Sequence, residues 1–570
     1  MYPIWFVLLG IIIYLIAYFG YGKYYDRTVW QPDPSKPTPA HMFMDGIQYF
    51  PVSRYVLYGF QFKGIAGLGP IFGPFIALFY GWVPALIWIL LGNFFIGWIH
   101  DYSSLMTAVR NEGKTMGPLT YEIISPRARS VLMGFLLFYL ILITSVFVLL
   151  CSMFFNSYPA SVPAMICLII GGIISGLLLY KAKQGVTVST IVGLIITAIG
   201  IVVGVSYSDL FRIGDLTIAM FFTMVLLWIV SVIPLIYGTQ PIIYVASYPA
   251  ILGIVLIIIG GLISPLTNVP IQQPAWLGPL GASGDFWGNP GPIWPILMVS
   301  IACGAISGWH SLVSTSGSAT QLDVETDALP VAGGAMLTEG LLALASLSAF
   351  MVVPTEYLQT VKFSKAAALI EGATLLVAPY AGGEAAHVWI SSFYAMWLEL
   401  YAFTIEILVI RFFWMALSDV LSKSPPLQAA LANKYVGAFI VLIVGFIFAY
   451  SGAWINLWLL FGGSNQLLAG LALTLTTVYL AKVKRPTVYT LIPALFMVIT
   501  CEAALLYEGA KFFYAVFVLG KPIAKGAVAG MPAVASALNI IFGLVGWILF
   551  VLGAIVAYDG FKAYFKAKAA

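Results

Sequence analysis

The sequence consists almost entirely of long apolar runs separated by short polar connections. A helix that crosses a bilayer needs about 20 mostly apolar residues. Runs of this kind begin near Pro3, Gly64, Trp82, Ser130, Val162, Val186, Asp215, Ala246, Ile293, Ala328, Ala386, Tyr435, Ala453, Pro486 and Ala533. The pattern therefore predicts an all-α polytopic membrane protein with about 15 transmembrane helices.

Composition supports a membrane protein and excludes a large water-soluble domain. Of the 570 residues, 61% are hydrophobic and only 8% are charged, and the mean hydropathy is +1.00. The longest polar stretches, residues 24–61 and 268–292, are too short to bury a core of their own. We therefore predict one membrane domain over residues 1–570. The first run, residues 3–22, lacks a basic start and a cleavage site, so we interpret it as a span rather than a signal peptide.

Lysine and arginine are distributed unevenly between the connections. Alternate connections hold twenty of the 26 basic residues, and the other connections hold six. The six are Arg212, Lys362, Lys365, Lys511, Lys521 and Lys525. Because positive residues favour the cytoplasmic side, the pattern predicts a protein of the cytoplasmic membrane with its N-terminus outside and its C-terminus inside.

Two apolar runs are interrupted by residues that break helices. Residues 61–74 read QFKGIAGLGPIFGP, with four glycines and two prolines, and residues 307–321 read SGWHSLVSTSGSATQ. An unwound segment at membrane depth survives only where it is buried in protein or lines a polar cavity. Its free carbonyls can coordinate a cation, and a half-helix N-terminus can face an anion. The two interruptions therefore predict a transport site, although glycine and serine also serve close helix packing.

The order of the runs predicts an internal repeat. Five runs follow from each interruption, and the two groups start on opposite sides of the membrane, as in an inverted repeat over residues 61–206 and 293–482. The remaining parts are a peripheral span at residues 3–22, two inserted spans at 215–264 and two C-terminal spans at 486–557. Residues 353–384 are too short and too broken to span, so we expect a re-entrant or surface helix there.

Several strings carry a resemblance to a known family. They are GLGPIFGP, WVPALIWILLGNFFIGWIHDYSSLMTAVRNEGKTMG, SGWHSLVSTSGSATQLDVETDALPVAGGAMLTE and LWLLFGGSNQLLAGLALTLTTVYLAKVKRP. In this order, over residues 45–493, the chain resembles the carbon-starvation protein A (CstA) family. The resemblance implies a transporter of peptides, or in some members of pyruvate, within the amino acid/polyamine/organocation superfamily. It also implies a fold similar to that of the leucine transporter, with residues 353–384 as an extracellular lid helix.

We expect the substrate to bind between the two interruptions. Two broken helices can offer bare N–H groups and carbonyls to a zwitterion without burying full charges. His310 could contact a substrate carboxylate or titrate in proton coupling. The candidates for substrate binding are Gly67, Leu68, Gly69, Phe72, Ser307, Gly308, Trp309, His310, Ser314 and Thr315.

Ionisable and amide side chains inside apolar runs are candidates for coupling or gating. They are Lys63, His100, Asp101, Glu339, Ser391, Ser392, Glu399, Glu406, Asn465 and Gln466. His100 and Asp101 could act in a gate or proton relay, or Asp101 could cap the helix by bonding Arg110. Adjacent residues on a helix are not expected to face each other.

Other members of this group also have more than one interpretation. Glu399 and Glu406 are seven residues apart and share a helix face, which must point into the protein. They could serve protons, cations or an ammonium group, or form buried hydrogen bonds to tyrosine or tryptophan. Asn465 and Gln466 could bind substrate or form hydrogen bonds between helices.

The resembled fold also implies a coupling ion. Ser391 and Ser392, with backbone carbonyls around Gly64 and Gly67, could form a sodium site, since oxygen ligands suit a hard cation. Sodium-independent proteins of that fold have a lysine instead, and Lys63 could take this role. Sodium and proton coupling both stay open, and we expect no other cofactor.

The sequence thus predicts a secondary active importer of short peptides. Pyruvate or an amino acid is the alternative substrate, and a membrane-embedded ligand sensor or enzyme is the alternative class. No nucleotide loop, zinc-binding pair or catalytic triad is recognisable, so we expect no enzymatic activity. The expected partners are a small-molecule substrate and membrane lipid but no nucleic acid, and the sequence leaves the oligomeric state open.

The predicted topology can be tested with C-terminal fusions. A fusion to green fluorescent protein should fluoresce in cells, because this reporter matures in the cytoplasm. A fusion to alkaline phosphatase at the same position should be inactive, because that enzyme requires the oxidising outer side. The reverse pair of results would contradict the orientation.

Overall fold

The computed structural model is an all-helical bundle that describes residues 1–301, 303–362, 364–450, 454–523 and 530–569. Within these ranges the one isolated β-bridge joins Val52 to Leu322. Eleven described helices are long and apolar enough to cross a membrane, or up to 13 spans if each bent helix pair is counted as one. The predicted all-α membrane architecture is confirmed at this level.

The helices are labelled in chain order. In the first half they are α1 (Ile4–Trp30), α2 (Arg54–Ile65), α3 (Gly69–Ala77), α4 (Trp82–Val109), α5 (Pro126–Ser157), α6 (Ser161–Lys181), α7 (Val186–Ser206), α8 (Leu216–Ser231) and α9 (Thr239–Ile263). In the second half they are α10 (Ile293–Ser300), α11 (Trp309–Val313), α12 (Glu325–Met351), α13 (Lys365–Val377), α14 (His387–Val420), α15 (Lys434–Tyr450), α16 (Trp454–Lys482), α17 (Val488–Phe517) and α18 (Pro532–Ala569).

One end of the bundle is rich in basic residues, and we refer to it as the basic end. There Arg129 donates to the carbonyl of Asp419 at 3.3 Å, and Arg127 lies 3.8 Å from Asp559 near the end of α18. These contacts join the start of α5 to the ends of α14 and α18. The C-terminal helix therefore ends at the basic end.

The opposite end is closed by the loop between α9 and α10. The amide of Ile271 donates to the carbonyl of Met1 at 2.9 Å, and the amide of Gln272 donates to the carbonyl of Met351 at 2.8 Å. Helix α12 connects the two ends, because its first residue, Glu325, pairs with Arg110 at the basic end. The two chain termini therefore lie at opposite ends of the bundle.

The first interruption is a short break between α2 and α3. Residues 66–68 are not helical, and the two helices are bent by 41° with respect to each other. Gly69 already belongs to α3, so the unwound segment is shorter than residues 61–74. The glycines and prolines after the break start a helix in which Pro70 lies in the first turn, where no N–H partner is needed.

The second interruption lies upstream of the predicted one. Helix α10 ends at Ser300 and α11 begins at Trp309, and the helix then continues through a π-turn at Ser314–Ser318. The prediction of a break over residues 307–321 is therefore wrong for most of these residues. Only Ser307, Gly308 and the turns after Ser318 are non-helical. The small hydroxyl residues remain helical because they bond back to their own turn, as Thr315 does to the carbonyl of Ser311 at 2.7 Å.

Two further features of the predicted map have clear outcomes. Residues 353–384 contain the 13-residue helix α13, which is too short to span, as predicted. Helix α14 is continuous over 34 residues. The prediction that every lysine and arginine lies in a connection is wrong for Lys63, which lies in the last turn of α2, and for Arg411, which lies within α14.

The packing of α13 predicts a strong effect of one methyl group. A Cβ at Gly372 would overlap the carbonyl oxygen of Ala349 in α12, whereas a Cβ at Gly134 in α5 would meet nothing within 4 Å. Gly372→Ala should therefore destabilise the protein by about 1–3 kcal/mol or more through overpacking, and Gly134→Ala should not. Thermal unfolding in detergent measures both, and equal melting temperatures would contradict this packing.

Candidate functional site

The two broken helices contact each other on the basic side of their breaks. The Gln61 side chain in α2 donates to Ser314 Oγ at 2.9 Å and accepts from Ser318 Oγ at 2.5 Å. Trp309 Nε1 donates to the carbonyl of Gly64 at 2.8 Å. The half-helices before the first break and after the second break therefore form one bonded unit.

On the other side of the breaks, α3 packs against α10 and the unwound segment that follows it. A Cβ at Gly69 would overlap Cys303, and a Cβ at Gly73 would lie 2.7 Å from Cα of Ile301. Gly69 is helical, so it is needed for this close approach rather than for an unusual backbone conformation. The residues that follow the first break thus touch the second break directly.

Asn465 of α16 supplies the N-cap of α11. Its Oδ1 accepts from the amide of Trp309 at 2.9 Å and from the hydroxyl of Tyr139 at 2.6 Å. Its backbone carbonyl accepts from the amide of Gly308 at 2.9 Å, and its Nδ2 donates to Ser307 Oγ at 3.0 Å. A side chain from another helix therefore bonds the amides that the start of α11 leaves free.

Gln466 performs the matching task for the carbonyls of the same break. Its Nε2 lies 3.0 Å from the carbonyl oxygen of Met298 and 2.9 Å from that of Ile301. Between the two roles that the sequence left open for Asn465 and Gln466, the geometry favours hydrogen bonding between helices. Both amides hold the second break in its unwound form.

A buried group of charged side chains lies beside this break. Both oxygens of Asp101 are used, because Oδ1 contacts His100 Nδ1 and Oδ2 contacts His310 Nδ1, each at 2.8 Å. His310 Nε2 lies 3.0 Å from Glu339 Oε2, but the two groups are not aligned as a hydrogen bond. All four side chains are fully buried. His310 is therefore placed between two carboxylates from α4 and α12.

This arrangement corrects two expectations. Asp101 does not cap its helix by bonding Arg110, because Arg110 pairs with Glu325 at 3.0 Å. His100 and Asp101 do face each other although they are adjacent, because both side chains turn toward the second break. The gate or relay interpretation of this pair therefore fits the geometry better than the capping interpretation.

Cys303, His310 and Glu339 each place one side-chain donor or acceptor atom within 4.8 Å of the others. A metal needs a neutral imidazole nitrogen with a free lone pair. Here both ring nitrogens of His310 face carboxylate oxygens, which suits a protonated imidazole that bonds Asp101 and forms an ion pair with Glu339. We therefore interpret these residues as an ion-pair group.

Lys63 bonds the first break from inside the protein. Its Nζ donates to the carbonyl of Ala66 at 2.8 Å and to Thr404 Oγ1 at 2.7 Å, and it lies 4.2 Å from the centre of the Tyr401 ring. The side chain is fully buried. The ammonium group thus occupies the position beside the free carbonyls where a coupling cation was expected.

The expected sodium site is not assembled. Ser391 and Ser392 lie in the first two turns of α14, where both are partly exposed and Ser391 donates to the carbonyl of Val388. Helix α14 approaches Gly67 at Ile405 instead, whose Cγ1 would lie 3.0 Å from a Cβ there. Fourteen residues of helix separate Ser391 from Ile405, or about 21 Å. The carbonyl of Gly64 is also occupied by Trp309.

Glu399 and Glu406 are both fully buried in α14, as their shared face predicts. Neither carboxyl makes a hydrogen bond of normal geometry with the described residues, although Cys151 lies beside Glu399 and Thr144 beside Glu406. The alternative of hydrogen bonds to tyrosine or tryptophan is therefore not found for them in the described part of the chain. Their role in coupling stays a prediction.

The remaining candidates for substrate binding are also buried. Leu68 accepts from the amide of Phe72 at 2.7 Å, and the Phe72 ring packs 6.2 Å from that of Trp458. Thr315 lines a cavity of about 190 Å³ at the basic end, together with Leu140 of α5 and Asp419 of α14. The structure therefore places these candidates at or near the breaks, and Thr315 also lines the cavity at the basic end.

Several residues at the site escaped the sequence analysis. Gln61, at the start of the first interruption, and Arg411, within an apolar run, are polar residues, and this signal could have identified both. Thr404 and Tyr139 carry no such signal, since hydroxyl residues are common in membrane helices. Only their contacts with Lys63 and Asn465 reveal them.

Comparison with known proteins identifies relatives over most of the chain. The family model described as carbon starvation protein CstA matches residues 2–375 and 355–504. The pyruvate/proton symporter BtsT of Escherichia coli is 28% identical over 357 residues, which are 61% of this chain and 49% of that protein. The peptide transporter CstA of Campylobacter jejuni is 26% identical over 572 residues, which are 89% of this chain and 80% of that protein.

A third relative is the peptide transporter CstA of Bacillus subtilis, which is 29% identical over 62% of this chain and 58% of that protein. The chain thus spans about half the length of BtsT and of the Bacillus subtilis protein, at 49% and 58%. A crystal structure of a manganese transporter from Eremococcus coleocola aligns with 90% of this chain at 13% identity and a TM-score of 0.38. That similarity is too low to support an argument about the fold.

The contact between the breaks can be tested by a paired substitution. Gly69→Ala should destabilise the protein, because its Cβ would overlap both Sγ and Cβ of Cys303. Adding Cys303→Gly removes both atoms and should restore much of the lost melting temperature, measured by tryptophan fluorescence in detergent. Cys303→Gly alone is the control. Equal destabilisation by Gly69→Ala with and without Cys303→Gly would contradict the contact.

Proposed function

Because this chain is a multi-pass membrane protein of the carbon starvation protein CstA family, we propose that it is a secondary active transporter that imports short peptides across the cytoplasmic membrane. Alternating access would move the substrate past the two breaks. Pyruvate is the second candidate, because the similar BtsT protein is named a pyruvate/proton symporter. The relatives described above are named as transporters rather than enzymes.

The observation that carries this proposal is the direct contact of two broken helices inside the bundle. Tyr80, just after α3, donates to the carbonyl of Gly291 just before α10, at 3.0 Å. The first broken helix therefore ends where the second one begins, and the two run in opposite directions. This relation supports five-plus-five inverted repeats over residues 61–206 and 293–482, and we propose about 15 spans in total.

The proposed substrate site lies where the two breaks meet. Its first part consists of Gly67, Leu68, Gly69 and Phe72. Its second part consists of Ser307, Gly308, Trp309, His310, Ser314 and Thr315. Many polar groups of the site are already bonded to each other, as Ser314 is to Gln61 and Gly308 is to Asn465. A substrate that binds here must displace some of these bonds, which would couple binding to a change in how the half-helices pack.

We further propose that the coupling ion is the proton. Lys63 holds the carbonyl of Ala66, the position at which sodium was the alternative, and Ser391 and Ser392 lie about 18 to 20 Å along α14 from Thr404, which bonds Lys63. His310, between Asp101 and Glu339, supplies a side chain that can gain or lose a proton beside the second break. A proton moving on or off this group would alter the contacts between α4, α11 and α12.

Uptake by purified protein in proteoliposomes tests the function. We expect accumulation of labelled dialanine, or of labelled pyruvate, when the outside is more acidic than the lumen, and loss of the accumulation when a protonophore is added. Protein-free liposomes are the control. Binding without accumulation under any proton or sodium gradient would favour a ligand sensor. Competition between the two labelled compounds decides the preferred substrate.

Substitution of Lys63 tests the assignment of the coupling ion. Lys63→Ala should reduce uptake at least about tenfold, because it leaves the buried carbonyl of Ala66 without a partner. The double variant Ser391→Ala/Ser392→Ala should transport like the wild type and should not depend on sodium. Sodium-dependent uptake that is lost in the serine variant but retained in Lys63→Ala would refute proton coupling through this site.

A further inference from the structure

A second cavity at the basic end carries two cationic side chains. It has a volume of about 320 Å³ and is lined by Phe60 of α2, Ser316 and Gly317 of the π-turn after α11, and Leu408, Arg411 and Phe412 of α14. Lys434, at the start of α15, also lines it. We refer to this space as the basic cavity. It is in contact with the basic-side halves of both broken helices.

Neither cation of the basic cavity has an acidic partner in the part of the chain that the structure describes. Nη1 of Arg411 donates to the carbonyls of Ser231 and Ile233, at 3.1 and 2.9 Å, and Nζ of Lys434 donates to that of Val232 at 2.9 Å. No residue lining the cavity is acidic, and neither cation belongs to a salt bridge within the described ranges. Two positive charges therefore share a largely apolar cavity.

Capping of a helix explains only part of this arrangement. The three carbonyls lie at the C-terminal end of α8, where cationic side chains are favourable. That role uses Nη1 of Arg411, and no hydrogen bond among the described residues engages Nη2 or Nε of the guanidinium. A guanidinium presents its N–H groups as a fork that matches the two oxygens of a carboxylate. A partly buried cation without a counter-ion also favours binding of an anion.

The face of α14 that carries Arg411 leads directly to the first break. Thr404, which accepts from Lys63, lies seven residues before Arg411, so the two share one face about 10 Å apart. Leu408 lies between them and contributes both to the basic cavity and to the contact with Gly64. Lys63 and Arg411 therefore place positive charge at two successive levels along one helix.

We propose that the basic cavity is a second binding site for the carboxylate of the transported substrate, in which Arg411 is the main ligand and Lys434 a supporting one. This inference rests on the proposed transport function. A carboxylate that leaves the breaks toward the basic end would pass along the α14 face and exchange one cationic partner for the next. Phe60 and Phe412 would contact the apolar part of the substrate.

Substitutions of Arg411, with a substitution of Arg129 as the control, test the proposal by transport. The concentration for half-maximal uptake of dialanine should rise roughly 10- to 100-fold in Arg411→Gln, because charge-assisted hydrogen bonds are lost, and less in Arg411→Lys. Arg129→Gln is the control, because Arg129 also donates to a backbone carbonyl at the basic end but lines neither cavity described above. An Arg411→Gln variant that lowers only the melting temperature, as loss of a helix cap would, overturns the proposal.

A binding measurement separates this proposal from the transport function itself. In Ser316→Cys, a thiol-specific maleimide applied from the basic end should label the new cysteine, with labelling of the wild type subtracted for the native cysteines. Dialanine and pyruvate should each slow labelling, and dialanine amide should not. Arg411→Gln should remove the protection. Absence of protection by both acids overturns the carboxylate site, even if proteoliposomes accumulate substrate, whereas protection without accumulation supports the site and refutes transport.

Discussion

Every backbone group that a helix break frees must find a partner inside the apolar bundle, and the architecture follows from this constraint. At the second break Asn465 bonds the amides that begin α11, and Gln466 bonds the carbonyls that end α10. At the first break Lys63 bonds the carbonyl of Ala66. Helix α16 is therefore as much a part of the site as the broken helices, because it supplies the hydrogen bonds that stabilise the unwound backbone of the second break.

The same constraint applies to charge. Ionised groups in an apolar interior need partners that compensate their charge, and the charged side chains around the breaks have such partners. Asp101, His310 and Glu339 form a contiguous group across three helices, and Lys63 lies on carbonyl, hydroxyl and aromatic partners. A change of proton number in such a group alters the balance of forces between the helices that carry it. This is the physical basis on which a proton could bias one packing of the half-helices over another.

Much of the fold was available from local features of the sequence. A helix that crosses a membrane bonds its own backbone, so each span is recorded in about 20 consecutive residues and needs no knowledge of its neighbours. The apolar runs, the short helix in residues 353–384 and the break before Gly69 were all predictable for this reason. Four quoted strings were sufficient to indicate the family. The second break was misplaced because serine and threonine next to glycine suggest a loop, while in an apolar setting they bond to the preceding turn and stay helical.

Only the tertiary structure decided which polar groups meet. Asn465 is 156 residues from the amide it caps, Lys63 is 341 residues from Thr404, and Asp101 is 209 residues from His310. No local pattern encodes such pairs, because each depends on the rotation and depth of two separate helices. For the same reason the sequence could name Ser391 and Ser392 as sodium ligands, although α14 presents Thr404 and Ile405 to the break instead. Composition and periodicity determined that the chain crosses a membrane with two broken helices, and helix packing determined which side chains complete the site.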